Sequence, residues 1–168
     1  DRVWIGKNIF PDWQGSFGFN LDWKGFFIQT QFNYVTGLDR FDNDYADVLD
    51  PSSLGQFNLS RDLFRAWTPD NRITDIPSLD ATNLFSFPDS DRFLREADYI
   101  RLRFAQVGYN FPARFLENTG LSRLRVFGNA ENLFTITKWR GFDAEGQTNG
   151  LRLYPTPQTL SIGFELGF

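Results

Sequence analysis

Between Thr159 and Phe168 the side chains change character at every step. Leu160, Ile162, Phe164, Leu166 and Phe168 alternate with Thr159, Ser161, Gly163, Glu165 and Gly167. A period of two belongs to extended chain, in which successive side chains leave opposite faces of a sheet. The segment therefore presents one apolar face and one face of small or polar groups. Its length matches the roughly 9–11 residues that a tilted strand needs to cross a bilayer. We read it as a membrane-crossing strand with lipid against its apolar side.

A hairpin near the start of the chain repeats the pattern. Phe17, Phe19, Leu21 and Trp23 alternate with Ser16, Gly18, Asn20 and Asp22, and after Lys24-Gly25 come Phe26, Ile28, Thr30, Phe32 and Tyr34, alternating with Phe27, Gln29, Gln31 and Asn33. A two-residue turn at Lys24-Gly25 pairs Trp23 with Phe26, Leu21 with Ile28, Phe19 with Thr30 and Phe17 with Phe32. Both apolar sets then share a face, which a slip of one residue would undo.

Two more strands fit between the hairpin and the last segment. Arg123 to Phe134 sets Leu124, Val126, Gly128, Ala130 and Phe134 against Arg123, Arg125, Asn129 and Glu131. Tyr99 to Phe111 is less regular: Ile100, Leu102 and Phe104 share a phase, which then moves to Val107, Tyr109 and Phe111. That shift predicts a bulge near Ala105-Gln106 or packing against something inside a barrel. Arg101 and Arg103 are expected to point to the lumen, with Arg103 opposite Glu131 unless the bulge moves it. The connections alternate in length, with Lys24-Gly25 and Pro112 to Ser122 short, and Leu38 to Asp98 and Thr135 to Thr156 long. Short periplasmic turns and longer outer loops are the habit of outer-membrane barrels. Within the longest loop, Ser60 is placed to cap a helical turn presenting Leu63, Phe64 and Trp67.

The fold class is thus all-β, an antiparallel transmembrane β-barrel in part. Five strands cannot close a membrane barrel, since bacterial barrels have even strand counts of about eight or more. The remaining strands are expected from the same polypeptide or from a partner. Composition agrees with this reading. Aromatics reach 18% although the mean hydropathy is −0.38, because the 20 Phe, 5 Trp and 5 Tyr are scattered singly among polar residues. No run approaches the roughly 18 apolar residues of a spanning helix. Asp1-Arg2-Val3-Trp4 lacks a basic start followed by an apolar core, so the chain is expected to open on a mature or internal residue. The sequence contains no Cys, Met or His, which removes disulfides, thiol or imidazole metal ligands and His-based triads. A net charge of −4 speaks against nucleic acid as a partner.

Specific residues also resemble the SusC/RagA family of TonB-dependent outer-membrane transporters. They are Ser90-Asp91-Arg92-Phe93-Leu94, Tyr99-Ile100-Arg101-Leu102-Arg103, Val107-Gly108-Tyr109-Asn110-Phe111-Pro112, Arg125-Val126-Phe127 and Glu131-Asn132-Leu133-Phe134-Thr135. Trp139-Arg140-Gly141-Phe142-Asp143-Ala144-Glu145, Tyr154-Pro155-Thr156-Pro157-Gln158-Thr159 and Trp67-Thr68-Pro69-Asp70-Asn71 continue the likeness. Glu96-Ala97-Asp98 and Phe104-Ala105-Gln106 depart from the family pattern. The resemblance implies that residues 1–168 are the C-terminal segment of a barrel of about 22 strands, with the plug domain and TonB box on residues outside this sequence. It implies an active importer in the outer membrane that takes up glycans, oligosaccharides or peptides. Its partners would be a SusD-like surface lipoprotein acting as lid, the TonB complex, the rest of the barrel and outer-membrane lipid.

Several residues invite a functional reading. Phe164, Leu166 and Phe168 look like the terminal signal that barrel-assembly machinery reads, besides serving as lipid contacts. Trp139, Phe142 and Tyr154, with Arg140 and Asp143, combine aromatic faces with charge, which suits contact with a sugar, a peptide or a lid; packing among loops is the plainer alternative. Asp39, Asp42 and Asp44, with Asn43 and Asp47, offer oxygen ligands to calcium, although they lack EF-hand spacing and a solvated acidic loop explains them as well. Otherwise no cofactor is expected. Two other classes compete with an importer: an outer-membrane barrel enzyme with a carboxylate site in loops such as Asp70 to Asp91, and a soluble carbohydrate-binding β-sandwich.

Overall fold

The computed structural model describes residues 4–53, 55–79, 91–146 and 154–168. Its main feature is one antiparallel sheet of five long strands: β1 (Trp13–Trp23), β2 (Phe26–Thr36), β5 (Tyr99–Asn110), β6 (Arg123–Thr137) and β7 (Thr159–Gly167). They lie in the order β1-β2-β5-β6-β7, a meander in which each strand pairs with its neighbour in sequence apart from one excursion after β2. That excursion contains β3 (Asp39–Phe41), helix α1 (Asn43–Leu49) and β4 (Leu94–Glu96), with β3 and β4 forming a separate two-stranded sheet. No described helix is long and apolar enough to cross a membrane.

The first hairpin has the register expected from its pattern. Trp23 pairs with Phe26, Leu21 with Ile28, Phe19 with Thr30 and Phe17 with Phe32. Lys24 at φ 49° and Gly25 at φ 91° are both left-handed. Positive φ at both central residues gives a tight turn whose twist matches that of the flanking strands. The Phe17 and Phe32 rings stack across the strands at 5.1 Å.

One apolar face runs through all five strands. Phe26 pairs with Tyr109, Ile28 with Val107, Val126 with Tyr109 and Phe164, Gly128 with Ile162, and Leu124 with Leu166. Phe17, Leu21, Trp23, Ile28, Val107, Leu160, Ile162 and Phe164 on that face are exposed. No second layer of the described residues covers them. A one-layer sheet showing this much apolar surface is suited to hydrocarbon.

The opposite face is polar near the middle and packed at the short-turn end. Arg125 lies 3.9 Å from the centre of the Phe27 ring and donates to Gln106 at 2.9 Å, which in turn donates to Asn129. Arg123 and Arg125 also face Glu165, Arg123 at 2.8 Å. Gly108 leaves room for these rings, because a Cβ there would lie 2.5 Å from Phe27 and 2.4 Å from the Val126 carbonyl oxygen.

The irregularity in β5 lies two residues earlier than its apolar phase indicates. Against β2 the register shifts between Gln31 and Phe32, leaving Arg103 as the extra residue. Against β6 it shifts between Leu102 and Phe104, where Asn132 and Leu133 stand opposite Arg103 alone. Asn132 adopts a φ of 51°, which permits this extra residue. The apolar phase therefore continues from Ile100 and Leu102 to Ala105, Val107 and Tyr109. Phe104, not Arg103, is the partner of Glu131, and the expected Arg103–Glu131 pair is replaced by contacts described below.

Candidate functional site at the long-loop end

Both long connections leave the same end of the sheet, and they pack together. Leu38, Ala97, Tyr99, Trp139 and Ala144 form one buried cluster drawn from both loops and the strand ends. Arg40 donates to the Ala144 carbonyl at 3.0 Å, Lys138 reaches Glu96 at 3.1 Å, and Thr137 donates to the Asp98 carbonyl at 2.6 Å. A second cluster, Ala46, Leu49, Ala66, Ile76 and Phe93, gives the longer loop its own small core.

Helix α1, missing from the sequence expectations, begins at Asp42. The Asp42 carboxylate accepts from the Tyr45 backbone N–H at 3.1 Å, an N-cap that satisfies one of the helix's free amides. Asp42 is 1% exposed, with Arg95 at 3.7 Å as its charge partner. Burial pushes its carboxyl above the usual range, against the opposing Tyr45 hydrogen bond and Arg95 charge. The expected turn at Ser60 is present as a single 3-10 turn, Arg61–Arg65, in which Ser60 accepts from the Asp62 N–H at 3.2 Å. Of its three presented side chains Leu63 packs on the core, while Phe64 and Trp67 are exposed.

The carboxylates of the acidic run point in different directions. Asp39 pairs with Lys7 at 2.7 Å, Asp42 turns into the core as a cap, and Asp44 lies on the first turn of α1. Among the described residues no three carboxylates converge as a metal site requires. Capping and strand pairing separate these neighbours, because each backbone direction sends its side chain elsewhere.

The residues singled out in the last loop divide into two groups. Trp139, expected as a ligand or lid contact, is 7% exposed and belongs to the loop core. Asp143 is likewise committed inward: its carboxylate is 8% exposed and pairs with Arg101, itself 4% exposed. Arg101 also donates to Thr135 at 2.9 Å and Glu145 at 2.8 Å, and Arg103 binds Glu145 and Asn132. Burial alone would raise the Asp143 carboxyl, but the Thr156 N–H, the Arg101 guanidinium and the Glu145 N–H hold it at about 2. The strand arginines thus clamp the loop. Sequence reasoning saw them facing the lumen but had no means to pair them with Asp143 and Glu145 across 42 positions.

Arg140 and Tyr154 face outward. Tyr154, 97% exposed, lines a cleft of about 540 Å³ together with Asp44, Asp47, Val48, Phe57, Asn58, Phe142 and Pro155. Asp44, Asp47 and Val48 stand on one face of α1, since residues three and four apart are neighbours on a helix. Of these lining residues, Val48, Phe57 and Asn58 were not singled out in the sequence. The available signal was the i, i+3 spacing of Asp44 and Asp47. Of the carboxylates in the loop weighed for an enzyme, Asp70, Asp75 and Asp91 are exposed, while Asp80 and Asp89 lie outside the described residues. At the other end of the sheet, Phe164 and Leu166 sit on the exposed apolar face of β7, and Phe168 follows it, also exposed.

Two TonB-dependent receptors of Formosa agariphila are 31% and 29% identical to this chain over its whole length. Solved structures of the RagAB peptide importer in its closed-closed and open-open states each match 98% of the chain at 31% identity, with a TM-score of 0.84. The chain belongs to the SusC/RagA family of TonB-dependent transporters. No protein-family model matches it. This SusC/RagA segment spans 17% of those two curated relatives and 18% of each RagAB chain. Its five strands are accordingly part of a larger outer-membrane barrel.

Proposed function

We propose that this chain is the C-terminal barrel segment of an outer-membrane importer that draws on TonB to take up glycans, oligosaccharides or peptides, and that a SusD-like lipoprotein covers its long-loop end. The observation that carries this reading is the likeness of nearly the whole chain to the RagAB importer, loops included. The geometry supports the same orientation. Both long loops form one packed surface at one end, where a lid would sit, while the opposite end carries the two shorter connections, Lys24-Gly25 and Pro112 to Ser122. In this reading Phe164, Leu166 and Phe168 belong to the closing strand and to its assembly signal, and the plug and TonB box lie upstream on the same polypeptide.

The test uses the full-length transporter in its native membrane. Uptake of oligosaccharides and of oligopeptides is followed before and after an uncoupler collapses the proton-motive force, and lipoproteins that co-purify are identified. Uptake that stops with the uncoupler, together with a co-purifying lipoprotein, is the expected result. Unchanged uptake would exclude TonB-driven import.

A further inference from the structure

The cleft at the long-loop end has two features that loop packing does not require. Two of its aromatic side chains are exposed: Phe142 is 83% exposed and Tyr154 97%. Asp44 and Asp47 from one face of α1 stand beside these rings, and among the described residues neither is in a salt bridge. Arg95 pairs with Asp42, and Arg65 with Asp62. The floor is fixed. Ala46 and Leu49 root α1 in the loop core, and Asp143, next to Phe142 in the chain, is clamped by Arg101. A small cavity with apolar walls, a few convergent polar groups and a rigid base has the form of a ligand site.

We infer that this cleft binds a cationic group flanked by apolar surface, as on a peptide with a basic residue beside an aromatic one. The inference rests on the proposed import function, and it narrows the cargo at this site. The Asp44 and Asp47 carboxylates attract an ammonium or guanidinium by charge, and the exposed Phe142 and Tyr154 rings add cation–π and apolar contact. A neutral glycan matches the rings but leaves the two charges without a partner. Because the cleft is open, the charge contribution is screened by salt.

The experiment uses the purified full-length transporter and three synthetic hexapeptides. One carries lysine on both sides of a central phenylalanine; in the others both lysines are replaced by norleucine or by glutamate. Affinities are measured by calorimetry at low and moderate salt for the native protein, for Asp44→Asn with Asp47→Asn, and for Phe142→Ala. The lysine peptide is expected to bind at least tenfold more tightly than the norleucine peptide, and the glutamate peptide most weakly. The Asn pair, which preserves shape, should erase the lysine preference while leaving the norleucine peptide unaffected, and Phe142→Ala should weaken both. Equal binding of the lysine and norleucine peptides, an unchanged preference in the Asn pair, or no binding of any peptide would overturn the assignment. Transport is scored separately. Uncoupler-sensitive uptake without a lysine preference sinks this inference alone, whereas a lysine preference without uncoupler-sensitive uptake sinks the import reading alone.

Discussion

Asp143 keeps its charge in surroundings where burial works against it. Desolvation raises its carboxyl, yet the Thr156 and Glu145 amides and the Arg101 guanidinium lower it to about 2. A carboxyl whose folded value lies below its unfolded one contributes stability above the unfolded value and loses it as pH falls through the folded value. From 3.8 down to about 2, the difference amounts to about 2 kcal/mol. The last loop should therefore resist digestion by pepsin at about pH 4 and open to cleavage around Phe142 as the pH falls through about 2. In Arg101→Leu the loop should already be cut at about pH 4, because a buried carboxylate left without its partner costs about 3–5 kcal/mol. Equal cutting of both proteins at pH 4 would show that the clamp does not hold the loop. This pairing was not legible in the sequence. Arg101 and Arg103 announced themselves by their place on a strand face, but their partners come from a loop whose path no periodicity describes. The burial of Trp139 was hidden for the same reason: an aromatic in a loop fits a contact surface and loop packing alike until the path of the loop is known.

The strands show where pattern is a sufficient guide and where it slips. The first hairpin could be paired residue by residue from its sequence, because two alternating runs and a two-residue turn admit one register that puts both apolar sets together. The bulge was visible only as a change of phase. Phe104 misled the reading, since an apolar residue on the lumenal face extends the outward pattern by one false position. The backbone decides the matter at Asn132, whose φ of 51° is open to Gly and tolerated by Asn but costly for a branched residue. Asn132→Val should lower the unfolding free energy of the full-length transporter in urea by about 2–3 kcal/mol, combining backbone strain with the lost hydrogen bonds from Arg103 and to the Pro157 carbonyl. Asn132→Gly gives up only the two side-chain hydrogen bonds and should cost about 1 kcal/mol. Equal losses in the two variants would place the constraint in the side chain and not in the backbone. Helix α1 escaped notice because it is only seven residues long and its cap, Asp42, sits in an acidic run that suggested metal chemistry first.

At the scale of the whole molecule, the sheet and the loops are stabilised by different means. The sheet turns its apolar face outward, so its surroundings cover that face, while the loops bury theirs in two small clusters of their own. Trp139 lies at the junction of the two loops but makes no part of the outward face. Trp139→Ala should therefore separate the two functions. Removing a buried Trp costs about 3–5 kcal/mol, and that loss falls on the loop cluster of Leu38, Ala97, Tyr99 and Ala144. The barrel should still assemble and migrate as a folded species in unheated gels, while hydrogen exchange rises at residues 38–41 and 138–146 and uptake falls. Tyr154→Ala removes an equally aromatic but exposed side chain and should leave exchange in both loops unchanged. If Trp139→Ala left loop exchange untouched, the two loops would be independent, and a cleft built between them would lack the rigid base that a selective site requires. If it instead prevented barrel assembly, the loop core would be needed for insertion as well as for the outer surface.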